Sequence, residues 1–258
     1  MHRMERHWYI KRCRLFERLT PEQLAQLERQ SRQKTFARGN SVYLPSDSAA
    51  GVLLVAEGRI RLSSLTPDGK QAILAFVEPG EVFGELALLD AGAREEYAEA
   101  VAASTVILLP GDLLQQFLME SPHFSLGITR LIGLRRRRVE RRLKSLLFRS
   151  TRERLGSLLL ELVEQYGRPV PEGILIDLKL SHQDLASIIG ATRESVTLLL
   201  GELQSEGLVV VSRQRVVICS PSRLANNMGL PAPEPPSPAW PAHSAGTSNA
   251  RPAVDSSG

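Results

Sequence analysis

An arginine and a glutamate stand side by side at the predicted start of a helix, where both side chains can project from its first turn. The pair is Arg193 and Glu194, and it follows Thr192, a residue type suited to capping a helix. Arginine can donate two hydrogen bonds to guanine, and glutamate can accept one from the amino group of cytosine. Their types and position therefore predict contacts with base edges.

The residues around this pair predict two helices that meet at a sharp turn. Ser181 is suited to cap the first helix, with Asp184 three residues later, and Gly190 permits the turn. The small Ala186 lets the helices approach closely, and Val196 follows Gly190 by six residues. This spacing is typical of a helix-turn-helix. The apolar contacts between the helices are assigned to Leu185, Ile189, Val196 and Leu199.

A short hairpin is predicted directly after the second helix, which disfavours a helix pair that serves only for packing. Its strands are 208–211 and 216–218, and its turn carries Arg213, which we expect to meet the DNA backbone. The whole segment is thus a winged helix-turn-helix. The predicted DNA-binding residues are Ser181, His182, Gln183, Thr192, Arg193, Glu194, Ser195, Thr197 and Arg213.

Short β-rich runs precede this segment. They cover 52–55, 60–65, 72–77 and 101–109, separated by turn signals at Glu57-Gly58, Pro67-Asp68-Gly69 and Glu78-Pro79-Gly80. Several short strands without intervening helices favour an antiparallel roll or sandwich. Before them, Thr20 and Gln23 can form a capping box around a short helix. The predicted fold class is α+β, with an N-terminal antiparallel β-roll and a C-terminal winged helix.

A long amphipathic helix of about 25 residues is predicted between the two parts. Its apolar positions are Phe124, Ile128, Leu131, Val139, Leu143 and Leu146. Such a helix can form a dimer seam, although the arginine-rich stretch 135–142 interrupts it. The predicted domains are a β-roll at 1–121, a dimerisation helix at 122–148, a winged helix-turn-helix at 149–225 and a disordered proline-rich tail at 226–258.

Composition limits the remaining function classes. The 258 residues are 43% hydrophobic and 23% charged with a net charge of +4, as in an ordinary globular protein. No membrane span, secretion signal or disulfide framework is expected, which predicts a cytoplasmic protein. We find no glycine-rich phosphate loop, metal-binding histidine pair or nucleophile elbow, so no enzyme activity and no metal site are predicted.

The segments IDLKLSHQDLA and ATRESVTLLLGEL resemble the winged helix of the cyclic-AMP receptor protein/Fnr regulators, and within them the nitrogen regulators that sense 2-oxoglutarate. The resemblance spans about Phe16 to Ala225. It implies a cyclic-nucleotide-binding-like roll and a homodimer that binds palindromic double-stranded DNA beside RNA polymerase. Leu198 stands where the family usually has arginine. We therefore expect a half-site that differs from the family consensus at one base pair.

The same resemblance predicts an effector pocket and leaves its ligand open. A cyclic nucleotide would use Glu85 for its ribose hydroxyl, but Glu95 and Glu96 beside Arg94 disfavour a buried phosphate. A 2-oxoglutarate-like acid would use Arg135 and Glu140, and a third alternative is that the roll binds nothing. A haem sensor through His2, His7 or His123 is the least favoured alternative. The candidate effector residues are Gly84, Glu85, Leu86, Ala87, Arg94, Arg135 and Glu140.

Two function classes remain after these observations. The first is a transcription regulator. The second is an effector-gated regulatory or scaffold protein whose helical domain binds protein instead of DNA. Sequence-specific retention of DNA separates them, because only the first requires different affinities for specific and random DNA.

Overall fold

The computed structural model describes residues 8–65, 71–89 and 92–230, and the chain forms two compact units. The first unit contains Met1–Leu155 together with Leu180–Glu202, and the second contains Gly156–Lys179 together with Leu203–Gly258. Within the described residues, no helix is both long enough and apolar enough to cross a membrane.

Two antiparallel four-stranded sheets form the β-roll of the first unit. One has the strand order β1-β8-β3-β6 and the other β2-β7-β4-β5. The strands are β1 (Arg32–Phe36), β2 (Ser41–Tyr43), β3 (Gly51–Glu57), β4 (Ile60–Leu65), β5 (Gln71–Val77), β6 (Val82–Phe83), β7 (Tyr97–Ala100) and β8 (Ser104–Pro110). The expected antiparallel roll is confirmed.

Strand β3 shows why one of the predicted runs lacks alternation between apolar and polar residues. Val52 and Leu54 belong to one buried cluster, and Leu53 and Val55 belong to another. Both faces of this strand are therefore covered, so an unbroken apolar run is what the position requires. The predicted turn at Glu78 is also present, since Gly80 has a positive φ of 88° and the Glu81 amide donates to the Glu78 carbonyl.

Helices precede and follow the strands of the roll. They are α1 (Pro21–Gln30), α2 (Gly111–Glu120), α3 (Pro122–Phe148) and α4 (Thr151–Tyr166), with 3-10 helices at Arg14–Phe16 and Glu85–Leu88. The capping box of Thr20 and Gln23 is confirmed. Phe16, Leu27 and Phe124 lie in one apolar cluster with Val52 and Leu54 of β3. This packing fixes the start of the long helix α3 against the roll.

The long helix is confirmed at 27 residues, but only its first part is buried within the single chain. Phe124 and Ile128 are buried, whereas Val139, Leu143 and Leu146 are exposed. These three are spaced by four and three residues, so they share one face of the helix. The described part of the chain leaves this apolar face exposed, as is expected of a helix face that forms a dimer seam.

The helix-turn-helix consists of α5 (His182–Ile189) and α6 (Arg193–Ser205). Ser181 and Asp184 form the predicted capping box, and Gly190 has a left-handed backbone with φ of 64°. Ala186 and Val196 are completely buried, as the close approach of two helices demands. Leu199, predicted to contact the first helix, is only half-buried, whereas the next residue, Leu200, is buried.

The second unit contains a four-stranded antiparallel sheet in the order β11-β12-β10-β9 and the short helix α7 (Pro221–Asn227). The predicted wing is confirmed as β11 (Val209–Ser212) and β12 (Arg215–Ile218). The sequence pattern does not predict the hairpin of β9 (Gly167–Val170) and β10 (Gly173–Ile176), because glycine and proline are equally typical of a helix end. Proline is tolerated in β9 because this is an edge strand.

Three further expectations differ from the structure or lie outside it. The predicted strand 101–109 is confirmed as β8 (Ser104–Pro110) except at its start, because residues 101–103 form a bend between β7 and β8. Helix α7 continues to Asn227 and Met228 is buried, so ordered chain extends past the predicted start of the tail at 226. The turn at 67–69, His2, His7 and the tail from 231 onward lie outside the described residues.

Both cysteines are free thiols. Cys13 is buried, and burial raises the pKa of its thiol to about 12. The thiol therefore stays protonated at neutral pH and serves as an apolar packing group in the same cluster as Phe16.

Candidate nucleic-acid interface and sensor pocket

The first turn of α6 presents the two predicted base-contacting residues to solvent. The Thr192 hydroxyl accepts from the Ser195 amide at 3.2 Å and lies 3.0 Å from the Ser195 hydroxyl, so the helix start is held by local bonds. Arg193 and Glu194 are exposed. Val196, about 160° around the helix from Glu194, is completely buried. The helix is thus anchored through one face and leaves both charged side chains available.

His182 and Thr197, predicted separately as DNA contacts, are brought together by the structure. The Thr197 hydroxyl donates to the Arg193 carbonyl at 2.9 Å, and the His182 Nδ1 atom lies 2.8 Å from the same hydroxyl. Because this hydroxyl has only one hydrogen, His182 must donate if both contacts form. The contact links the start of α5 to the second turn of α6. Gln183, next to His182, is exposed.

Asp184 has a role that the sequence did not reveal. Its carboxylate accepts from the Ser181 amide at 2.8 Å and from the Ser181 hydroxyl at 2.6 Å. It also pairs at 3.0 Å with Arg61 of β4, which pairs at 2.7 Å with Glu99 of β7. The capping residue of α5 is therefore tied to the β-roll of the same unit by an ion pair that spans 123 positions.

Leu198 is the large apolar residue that α6 leaves uncovered, with 65% of its surface exposed. It follows Glu194 by four residues and therefore lies on the same side of the helix. Leu200 and Leu203 are buried on another side.

Arg213 lies in the second unit, in the two-residue turn that joins β11 to β12. Its side chain is exposed, and the next residue, Gln214, has a positive φ of 55°. The tip of this hairpin therefore presents a cation to solvent, as predicted for a wing that meets a phosphate backbone.

Two of the candidate effector residues form an ion pair between the roll and the long helix. Glu85 lies in the 3-10 helix after Gly84, and its carboxylate pairs with the guanidinium of Arg135 on α3. The side chain of Glu85 is only 6% exposed and that of Arg135 is 29% exposed. Arg135 also donates to the Val82 carbonyl. A buried carboxylate thus has a charged partner from the chain itself.

Arg94, another candidate effector residue, is buried and bonds to Gly84, the residue before Glu85. Its guanidinium donates to the Gly84 carbonyl at 2.8 Å and to the Gly51 carbonyl, and it stacks 4.7 Å from the centre of the Tyr43 ring. Gly84 has a positive φ of 68°, and a Cβ atom there would collide with this guanidinium. Glycine suits this position because of its positive φ, and a larger residue would also have to displace the bonded guanidinium of Arg94.

Tyr43 connects this arginine to a second carboxylate. Its hydroxyl donates to Glu96 at 2.7 Å. Burial and the Glu96 carboxylate raise the pKa of the Tyr43 phenol above its usual range, so the hydroxyl stays protonated as a donor. Glu95 is exposed instead.

The other predicted pocket residues do not all converge on Glu85. Ala87 is buried two residues further along the chain, but Leu86 is largely exposed. Glu140 pairs at 2.7 Å with Arg136, one turn earlier on α3, and this exposed pair lowers the pKa of its carboxyl group. Among the described residues, no group of three His, Cys, Asp or Glu side chains is placed to hold a metal ion.

The class that this architecture defines is a regulator with a β-roll domain and a winged helix-turn-helix. Comparisons with known proteins agree: residues 33–121 match the cyclic nucleotide-binding domain, and residues 153–226 match the Crp-like helix-turn-helix domain.

Individual relatives identify the family. The chain is 35% identical over 192 residues to the global nitrogen regulator of Synechococcus elongatus, covering 74% of this chain and 86% of the relative. It is 25% identical over 216 residues to the CRP-like cAMP-activated global transcriptional regulator of Mycobacterium tuberculosis, covering 84% of this chain and 96% of the relative.

A solved structure of a CRP-family transcriptional regulator from Thermus thermophilus is 29% identical with a TM-score of 0.64, covering 78% of this chain and 98% of that one. This chain therefore belongs to the Crp/Fnr family of DNA-binding transcription regulators, whose members act as dimers.

Proposed function

We propose that this regulator binds a palindromic DNA site as a homodimer and that Arg193 and Glu194 contact the base edges of each half-site. The observation that carries the proposal is that both side chains are exposed at the capped start of α6, while Val196 in the same turn is buried and anchors the helix. The N-terminal residues of a recognition helix are those that reach the major groove.

The neighbouring polar residues support contacts with the DNA backbone. Thr192, Ser195 and Thr197 lie at the start of α6 and in its first two turns, and Ser181, His182 and Gln183 lie at the start of α5. Hydroxyl and amide groups near helix N-termini are common donors to phosphate. Ser181 and Thr197 would have to exchange their hydroxyl bonds to Asp184 and to the Arg193 carbonyl for bonds to phosphate. Arg213 supplies the corresponding cation on the wing. We propose the same contacts for both subunits of the dimer.

The dimer seam in this proposal is the exposed apolar face of α3. Val139, Leu143 and Leu146 share that face, and a second copy would remove it from water. Replacing Leu143 with aspartate should shift the protein from dimer to monomer in sedimentation equilibrium. Leu126 is the matched control because it lies about 100° or more around α3 from each seam residue, and Leu126→Asp should leave the dimer intact. If the Leu143→Asp variant remained dimeric, the dimer seam would not lie on this face of α3.

Selection from random DNA tests the proposed function directly. A bound pool should yield an inverted repeat, and its affinity should exceed that for random DNA by about a thousandfold or more at one fixed salt concentration. Equal affinity for both would overturn the proposal and favour the alternative scaffold protein.

As a regulator beside RNA polymerase in the cytoplasm, the protein should change transcript yield in a purified transcription assay on that site.

The second candidate function is gating by a small anionic effector, and the Glu85–Arg135 ion pair suggests how it would work. Glu85 already pairs with Arg135, the arginine that a dicarboxylate such as 2-oxoglutarate would need. That ligand must therefore displace Glu85 and overcome repulsion by its charge. A cyclic nucleotide would instead need Glu85 itself as the acceptor for its ribose hydroxyl.

One substitution separates these two ligand classes because it changes their affinities in opposite directions. Glu85→Gln should strengthen 2-oxoglutarate binding about tenfold or more, since a hydrogen bond to a charged group contributes roughly 1.5–3 kcal/mol. The same variant should weaken cyclic-AMP binding by a similar factor. Glu95→Gln, at an exposed position next to Arg94 in the chain, is the control and should change neither.

Calorimetry with each compound, with and without the selected DNA, completes the test. An activator must bind more tightly when DNA is present, because coupling between two sites is reciprocal. Absence of binding by wild type and by Glu85→Gln would overturn gating by these two compounds. The regulator would then bind DNA with its pocket filled by Glu85, Arg94 and Arg135 alone.

A further inference from the structure

The exposed leucine on the recognition helix points away from the residues that anchor this helix. Leu198 is 65% exposed, although α6 buries Val196 and Leu200 completely or nearly so. At about 100° per residue, Leu198 points roughly 160° away from both of these anchors. It therefore contributes little to holding α6 in place, and its side chain faces the same surroundings as Glu194.

Chemistry limits what such a side chain can recognise in DNA. Leucine neither donates nor accepts hydrogen bonds, so it cannot distinguish bases through their polar edges. The apolar group that a base pair presents in the major groove is the C5-methyl group of thymine. We infer that Leu198 is a specificity-determining residue that packs against a thymine methyl group in each half-site.

Helix geometry gives the position of that thymine relative to the bases contacted by the first turn. Leu198 lies four residues after Glu194, which is a rise of about 6 Å along α6. Successive base pairs are about 3.4 Å apart. The thymine should therefore lie one or two base pairs from the base pair that Glu194 contacts. This inference rests on the proposed DNA contacts of α6.

The test removes the methyl group alone. In the DNA site selected by the wild-type protein, each thymine near the Glu194 contact is replaced singly by deoxyuridine, which keeps every hydrogen-bonding group. Affinity is then measured by fluorescence anisotropy. Loss of one buried methyl contact should weaken binding about fourfold per half-site, and about fifteenfold when both half-sites are changed.

Two variants show whether the effect belongs to this side chain. Leu198→Ala should bind thymine and deoxyuridine sites equally well at that position. Leu89→Ala is the matched control, because Leu89 is also 65% exposed but follows the 3-10 helix of the β-roll, and it should keep the wild-type sensitivity.

The outcomes distinguish failure of this inference from failure of the proposed function. If wild type binds its site specifically but no nearby thymine is sensitive, or if Leu198→Ala keeps the sensitivity, the methyl contact is wrong and the regulator stands. If wild type shows no preference between specific and random DNA, the proposed DNA contacts themselves fail.

Discussion

The bonds that stabilise the helix-turn-helix (α5 and α6) join residues close in sequence, whereas those of the candidate sensor pocket join residues far apart. In α5 and α6, the capping groups that bond are three residues apart, as in Ser181 with Asp184 and Thr192 with Ser195. In the pocket, Glu85 and Arg135 are 50 positions apart, and Arg94 bonds to Gly51 across 43. The caps of α5 and α6 can therefore form locally, whereas the bonds of the pocket exist only when the roll and the long helix are both folded.

The two regions also differ in what they leave available. The start of α6 presents Arg193 and Glu194 to solvent, whereas Glu85 and Arg94 are buried and bonded. A surface that must contact DNA gains from exposed charges, because they keep their hydrogen-bonding groups free for bases. The pocket instead uses its charges to connect separate elements. Substitutions at the start of α6 should therefore change DNA binding, and substitutions in the pocket should change the stability of the fold.

The largest expected effect is on stability and comes from breaking the buried ion pair. Arg135→Ala leaves the Glu85 carboxylate buried without its charged partner, which should lower the free energy of unfolding by about 3 kcal/mol. Arg136 is the matched control: it is next in sequence, but its side chain is 78% exposed in its pair with Glu140. Arg136→Ala should cost less than about 1 kcal/mol.

Denaturant unfolding at one protein concentration measures both variants, since a dimer's stability depends on concentration. A double-mutant cycle with Glu85→Gln and Arg135→Gln should show that the two changes together cost less than their sum. Equal destabilisation by Arg135→Ala and Arg136→Ala would contradict the importance given to the buried pair.

The next effect is on DNA recognition and separates base contacts from backbone contacts. Arg193→Ala should cost about 1–3 kcal/mol per half-site on the selected DNA and relax specificity at one base pair. Arg213→Ala should weaken binding to all DNA sequences alike. It should also reduce the slope of log affinity against log salt concentration by about one per half-site. Titrations of specific and random DNA at several salt concentrations check both.

An Arg193→Ala variant that lost affinity equally for specific and random DNA would show that this arginine contacts phosphate instead of a base. Unchanged unfolding free energies in both variants are the necessary control, because Arg193 and Arg213 are exposed.

The difference in range also explains which features are predictable from the sequence. The caps at Ser181 and Thr192 and the turn at Gly190 are predictable because the residues that form them are close together in the chain. The pairing of Glu85 with Arg135 is not, since no local pattern joins residues 50 positions apart. The same holds for the Arg61–Asp184 bridge between the roll and α5.

Two errors have local causes instead. The predicted strand 101–109 begins three residues before β8 because Val101 and the two alanines after it continue the apolar run, although residues 101–103 form a bend. The β9–β10 hairpin escapes prediction because Gly167 and Pro169 are also typical of helix ends. In both cases a short pattern fits two structures, and the choice between them is made by strand pairing.

The smallest predicted effect tests whether the recognition helices depend on their local bonds. Ser181→Ala removes the hydroxyl that accepts from the Asp184 amide at 3.1 Å, which should cost about 1 kcal/mol. Ser187→Ala, inside the same helix, is the control and should be neutral or slightly stabilising. Hydrogen exchange should show faster opening at the first turn of α5 in Ser181→Ala only, with little change near Glu85. Protection lost equally in both regions would mean that α5 and the roll open together, as the Arg61–Asp184 bridge would allow, and that the helix start does not depend on local bonds alone.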